Sequence, residues 1–334
     1  MRELISLIEN KYNIKVLNIE KHKNVYKIYS DKNYCLKVSR YQREEFEFIL
    51  ACINHLLKKG FKNVLPIIKT CDGKDFVELN DSFAFLTDWI ESRHLDFKNP
   101  IELKMAVETL ANLHLSSRDF QYKKVKGRNL YGKWIDKFEK RLNQLLIFKS
   151  IIVSKDEKTE FDRTYLKHID IHYKQGLDSI KKLKQSRYFE IVEKHKRLNE
   201  FCHHDSANHN FLIDDFLHVY LIDFDYCVLD SHLHDLASII IRSLRYGNWN
   251  MDTLKYILSI YSSIIPIEAE EVYLIYCFME FPQDFWQVGL QYYIEKQPWE
   301  EDIFLKRLFR VVEDYKERFN FLDDFYKELG VGLC

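Results

Sequence analysis

The sequence predicts an α+β protein: a small five-stranded antiparallel sheet with one helix, followed by a larger, mostly helical region that carries a single β-hairpin. Three observations lead there. Short β-type runs crowd residues 1–90, helical periodicity dominates from residue 100 onward, and only nine glycines and five prolines occur among 334 residues. So small a share of turn formers disfavours a loop-rich all-β sandwich and favours long helices.

In chain order, residues 16–19, 25–29 and 34–38 are β-type runs separated by polar turns at 21–24 and 31–33, which reads as a three-stranded meander. Residues 43–59 then place Phe46, Ile49, Leu50, Ile53, Leu56 and Leu57 at helical spacing, and Gly60 follows as a C-terminal cap. Residues 76–79 and 83–89 flank the turn pair Asn80 and Asp81 and form a hairpin. This first lobe is expected to end near residue 90, with residues 91–334 forming the second. There Asn99 and Pro100 open a helix over 101–117. Further helices are predicted over 133–153, 160–184, 233–246, 253–264, 268–279 and 303–325. The interruption lies between residues 201 and 229, where 211–213 and 219–222 make a hairpin around the turn at 214–216.

With 46% hydrophobic and 15% aromatic residues the chain is too apolar to be disordered. Lys and Arg number 50 against 51 Asp and Glu, a formal charge of -1, so no global field draws it to nucleic acid or an anionic membrane. Apolar runs such as 219–222 and 237–241 are far too short to span a bilayer, and residues 1–14 lack the basic-then-apolar layout of a secretion signal. The seven cysteines are odd in number and contain no C-x-x-C pair, which predicts reduced thiols in a cytosolic protein.

Chemistry concentrates just before and after the hairpin. Phe201-Cys202-His203-His204-Asp205-Ser206-Ala207-Asn208-His209-Asn210 crowds ionisable groups into a loop held by rigid strands, and Ile222-Asp223-Phe224-Asp225 ends the second strand. A carboxylate able to accept a hydroxyl proton, an amide and further carboxylates as hard oxygen ligands suit phosphoryl transfer with Mg²⁺.

These segments carry a resemblance. His203-x-Asp205-x-x-x-x-Asn210 followed by Ile222-Asp223-Phe224-Asp225 is similar to the catalytic loop and metal-binding segment of the aminoglycoside phosphotransferase and choline kinase group, within the protein-kinase-like fold. Asp235-Leu236-Ala237 and Leu110-Ala111-Asn112-Leu113-His114 match two further motifs of that group. More closely, Cys202-His203-His204-Asp205, Ile222-Asp223-Phe224-Asp225-Tyr226-Cys227 and Trp89-Ile90-Glu91-Ser92-Arg93 resemble the spore coat protein S family of endospore-forming bacteria, over nearly the whole chain.

The resemblance implies a bilobal kinase-like fold and a phosphotransferase that uses ATP and Mg²⁺. Asp205 and His203 become the catalytic pair, Asp205 orienting and deprotonating an acceptor hydroxyl and His203 holding the loop through the backbone. Asn210, Asp223 and Asp225 become the metal ligands. Lys37 is expected to hold the α- and β-phosphates, Asn24 to stand in the phosphate-covering turn, and backbone groups around Asp88, Trp89 and Ile90 to bind adenine. The helix at 43–59 offers Glu44, Glu45 and Glu47 as the partner of Lys37, and Glu45, nearest the border of the apolar stripe, is the expected one. The turn Glu20-Lys21-His22-Lys23-Asn24 contains no glycine, a departure from the pattern in which backbone amides approach phosphate closely. The implied acceptor is a small molecule or a coat-associated component, and the implied location is the mother-cell cytoplasm with deposition in the spore coat, beside coat proteins. The alternative is a kinase-shaped coat scaffold that no longer turns over.

Other clusters are weaker. His203, His204, Asp205, His209, His232, His234 and Asp235 suggest a His-Asp metal phosphohydrolase, but such sites draw histidines from several helices. Tyr131, Trp134, Phe281, Phe285, Trp286, Tyr292, Tyr293 and Trp299 suggest a cage or sugar platform, and core packing is the stronger reading. The basic run from Lys181 to Arg197 reads as a solvated helix face.

Overall fold

The computed structural model describes residues 2–332. These divide into two compact units, one of residues 2–129 with 198–229 and the other of 130–197 with 230–332, a different partition from the expected lobes 1–90 and 91–334. The chain leaves the first unit and returns to it to complete it.

In the first unit five antiparallel strands, β1 (Asn18–His22), β2 (Val25–Tyr29), β3 (Asn33–Ser39), β4 (Val77–Leu79) and β5 (Ser82–Asp88), lie in the order β1-β2-β3-β5-β4. Side chains alternate across the sheet. One face presents Ile28, Tyr34, Leu36, Ala84 and Leu86 to Ile8 and Tyr12 of α1 (Arg2–Tyr12), a helix the sequence reading did not anticipate. The first unit therefore has two helices against its sheet, not one. On the opposite face, Phe83 stacks on Phe46 of α2 (Arg43–Lys58), with ring centroids 5.2 Å apart. Helix α2 buries Phe46, Ile49, Leu50, Ile53 and Leu56, and stops where Gly60 takes φ +80°. Lys37 is on the α2 side of the sheet, opposite Val25 on one neighbouring strand and Phe85 on the other.

A second sheet of the same unit has the order β6-β7-β8, from Arg93–His94, Phe211–Ile213 and Val219–Leu221. The expected hairpin is there, and the short β6 adds a strand to it. Helix α3 (Pro100–Ser117) begins at Asn99, whose side chain accepts from the amides of Ile101 and Glu102. Arg93 holds Glu102 in a two-pronged pair, at 2.9 and 2.8 Å, which fixes the chain leading into that helix.

The second unit is helical: α4 (Trp134–Val153), α5 (Glu160–Gln185), α6 (Tyr188–Arg197), α7 (Leu233–Leu244), α8 (Met251–Ser262), α9 (Ala269–Glu280), α10 (Gln283–Tyr293) and α11 (Glu301–Gly332). Most of the aromatic stretches are core: Trp134, Phe281, Phe285, Trp286 and Tyr293 are buried, with Phe285 stacked on Tyr165 at 4.2 Å and Phe281 on Phe138 at 3.9 Å, whereas Trp299 is exposed. Gly289 lets α10 approach α5, since a Cβ there would lie 2.2 Å from the Tyr165 hydroxyl. Buried His195 joins three segments, its Nδ1 2.7 Å from the Ser231 hydroxyl and its Nε2 2.7 Å from Glu271. The basic run is not merely solvated: Lys184 pairs with Glu139, Arg187 with Glu190 and Glu270, and Lys194 with Glu268. Among the described residues, no helix is long and apolar enough to cross a membrane.

Candidate active site

The expected site residues all belong to the first unit. The loop that opens the hairpin is tied down by His203, which is fully buried. Its Nδ1 accepts from the Asp205 amide at 3.3 Å, so the ring proton sits on Nε2 and is donated to the Ile222 carbonyl 2.9 Å away. One imidazole thus clamps the start of the loop to the end of β8. Both ring nitrogens are engaged, which leaves neither for a metal and makes His203 a positioning residue. Phe224 packs edge-on against the ring at 4.8 Å.

Asp205 and Asn210 meet directly. The Asn210 side-chain amide donates to both the backbone carbonyl and a carboxylate oxygen of Asp205, each at 2.9 Å. The amide expected to serve as a metal ligand therefore also sets the orientation of the expected base. A bond from the Ile222 amide to the Asn210 carbonyl, at 2.9 Å, joins the two halves of the site.

Asp223 follows in a left-handed conformation, φ +67° and ψ +62°, which costs a non-glycine residue roughly 1–2 kcal/mol. The turn sends the chain into the short helical turn Phe224–Tyr226, and the carboxylates of Asp223 and Asp225 converge on one point occupied by the Lys37 ammonium, 2.6 Å from an oxygen of each. Burial opposes charge on Lys37, yet the two carboxylates outweigh it and raise its pKa above the ordinary value. Burial likewise acts to raise the Asp223 carboxyl, and Lys37 overcomes this and holds it below the usual range. Two hard oxygen donors converging on a single cation form a donor set that fits Mg²⁺.

The expected Lys37–Glu45 pair does not form. Glu45 instead lies 4.0 Å from the Arg128 guanidinium, because the two carboxylates after β8 take the lysine. Arg128, 6% exposed, is a residue the sequence reading missed. Its Nη1 donates to the carbonyls of Asp225 and Cys227 at 2.7 and 3.0 Å, and its guanidinium carbon lies 5.3 Å from the centre of the Tyr41 ring. It braces the segment that carries both carboxylates. No motif marks it, since it ends a stretch of basic residues that reads as surface.

The glycine-free turn is tighter than expected. Glu20, Lys21 and His22 belong to β1, and only Lys23 and Asn24 turn the chain, Lys23 at φ +52°. In the crossover, Asp88 pairs with Lys32 at 2.6 Å, the Trp89 amide donates to Asn33, and the Ile90 carbonyl accepts from the Ser92 hydroxyl. Lys27 sits 4.8 Å from the centre of the Trp89 ring and 2.5 Å from Glu91. Two of the backbone groups expected to meet adenine are thus engaged within the protein.

A sequence profile of the family described as spore coat putative kinase YutH matches residues 5–325. Spore coat protein S of Bacillus subtilis (strain 168) is 21% identical over 304 residues, 88% of this chain and 85% of that protein. Among solved structures, an aminoglycoside phosphotransferase from Alicyclobacillus acidocaldarius subsp. acidocaldarius DSM 446 gives a TM-score of 0.83 at 20% identity, over 96% of this chain and 94% of its own. A spectinomycin phosphotransferase in complex with ADP and spectinomycin gives 0.66 at 17% identity, over 96% and 98%. The fold is the α+β, protein-kinase-like one that the motifs implied.

Proposed function

Because this chain belongs to the spore coat putative kinase YutH family, we propose that it is a phosphotransferase moving the γ-phosphate of ATP, with Mg²⁺, onto a hydroxyl of a small molecule or of a spore coat component. The observation that carries this reading is the convergence of Asp223 and Asp225 on one cation position, in the unit that also holds the Asp205–Asn210 pair. The spectinomycin phosphotransferase bound to ADP supports use of a nucleotide.

In this reading Asp223 and Asp225, with Asn210, hold Mg²⁺, which when bound neutralises charge on the transferring phosphate. Lys37 swings from the carboxylates to the α- and β-phosphates. Asp205, oriented by Asn210, accepts the proton of the acceptor hydroxyl. Backbone groups of the crossover from Asp88 to Glu91 meet the base.

The test is a thermal-shift titration with ATP and Mg²⁺. Wild type gains about 2.7 kcal/mol at a hundredfold excess over the dissociation constant, and Asp223→Ala gains none. Acceptors are then screened among sugars, aminoglycosides and choline-like alcohols. The glycine-free Lys23–Asn24 turn favours a second reading, a kinase-shaped structural protein of the coat, and an unchanged melting temperature across millimolar nucleotide selects it.

A further inference from the structure

Helix α4 carries two cations that the protein does not neutralise. Elsewhere in the second unit a half-buried cation meets an acid: Lys155 pairs with Asp162 at 2.8 Å, Lys182 with Glu280 at 2.5 Å and Arg245 with Asp284 at 3.4 Å. Lys137 and Arg141 are half-buried as well, yet among the described residues neither makes a salt bridge. The acids of their own helix turn elsewhere, Asp136 to Lys133 and Glu139 to Lys184. Burial pushes the Arg141 guanidinium down to about 10. Burial also lowers the Lys137 ammonium; Asp230 acts against this and the charge of Arg141 adds to it.

The surroundings hold the guanidinium in place. Its carbon lies 4.5 Å from the centre of the Trp286 ring, and the Trp286 indole is pinned in turn by donating to Gln144 at 2.8 Å. The ring face that the sequence offers to a ligand cation is thus covered by a cation of the protein itself. At about 100° per residue, Trp134, Lys137 and Arg141 fall within roughly 60° of one another around the helix. Trp134 is buried, and its Nε1 has no hydrogen-bond partner. One stripe of α4 therefore gathers an indole N–H, an ammonium and a guanidinium, which are donors only. Among the described residues none of the three side chains has an acceptor. Donors of that kind, two of them charged, are the complement of an oxyanion.

We propose that this stripe of α4 binds the oxyanion group of a small molecule, a carboxylate or a phosphate, held by the Arg141 guanidinium and the Lys137 ammonium. A guanidinium lying against an aromatic ring keeps its edge N–H groups for a two-pronged contact. The bound anion also relieves the repulsion of two like charges one helical turn apart in a half-buried setting. The same repulsion disfavours an organic cation there.

Titration calorimetry on the full chain tests it, with inorganic phosphate in one arm and malonate in the other, each at fixed ionic strength balanced with chloride. Wild type binds at least one of the two, and the tighter names the group. Arg141→Gln weakens that binding by at least about tenfold, the scale of a hydrogen bond to a charged group. Lys137→Gln, on a long side chain whose loss circular dichroism shows to leave the fold intact, weakens it as well. Lys37→Met, in the other unit, leaves it unchanged, so the outcome is independent of the phosphotransferase reading. Wild type that binds neither anion, Arg141→Gln and Lys137→Gln variants that bind as wild type does, or binding lost in Lys37→Met overturns the proposal.

Discussion

The Lys37 ammonium lies 2.6 Å from Asp223 Oδ1, although 186 residues separate the two in sequence. With Asp225 at the same distance, the lysine neutralises the carboxylates assigned to the metal. Under the proposed function, metal without nucleotide would have to displace a buried cation, whereas nucleotide phosphates would draw the lysine away and open the position. Mn²⁺ is expected to bind Lys37→Met about tenfold more tightly than wild type when nucleotide is absent, read by electron paramagnetic resonance. Equal affinities would show that the ammonium does not compete.

Asp205→Asn keeps the shape of the side chain and removes the proton acceptor. Once an acceptor is found, transfer should slow by roughly 10² or more with ATP affinity nearly unchanged. A variant that transfers phosphate at the wild-type rate would reduce Asp205 to a hydrogen-bonding partner of Asn210.

Arg128→Ala strips the carbonyls of Asp225 and Cys227 of their shared donor. Chemical denaturation should report a loss of about 3 kcal/mol, the scale of hydrogen bonds from a charged donor inside a protein. Arg128→Lys recovers little of it, because an ammonium does not reproduce the planar guanidinium that reaches both carbonyls beside the Tyr41 ring.

What could be read in the sequence was what is local. The helix at 43–58 announces itself through apolar spacing and Gly60, and α3 through Asn99 and Pro100. The Asp205-to-Asn210 loop carries its chemistry within six residues. Features that depend on distant partners left no local trace. The two-residue strand β6 exists because Ile213 and Leu212 pair with it, and Lys37 chose its acids over Glu45 through a contact 186 residues long. Helix α10 was obscured by its aromatic residues, whose packing on Tyr165 and Phe148 is tertiary.

Gly289→Ala places a methyl group 2.2 Å from the Tyr165 hydroxyl, 2.6 Å from its ring carbon and 2.9 Å from Phe148. Rigid neighbours on both sides leave little room to relax, so a loss of about 1–3 kcal/mol is expected in denaturant melts. Tyr165→Phe in the same chain removes only the nearest clash, and the double variant should be less destabilised than the sum of the two singles.

Glu271 sets a pH dependence. Burial acts to raise its carboxyl, but the hydrogen bonds from His195 and the Glu268 amide hold it below the ordinary value of 4.5. A depressed folded pKa contributes stability that is fully present above the unfolded value and lost as pH falls through the folded one. The difference in unfolding free energy between wild type and Glu271→Gln should therefore be constant near neutrality and shrink below about pH 4.5. A gap that does not narrow would remove the charge of Glu271 from the balance.

The return of residues 198–229 to the unit begun by residues 2–129 also has a consequence during synthesis. Lys37 leaves the ribosome 186 residues ahead of Asp223, roughly 10–40 s earlier at ordinary elongation rates. Through that interval the nascent first unit lacks β7 and β8, and residues 130–197 of the second unit emerge before the first can close. Neither unit can mature alone in the order of translation, so a stall or truncation before residue 211 yields a chain with no assembled carboxylate pair and an unpaired β6 edge open to aggregation.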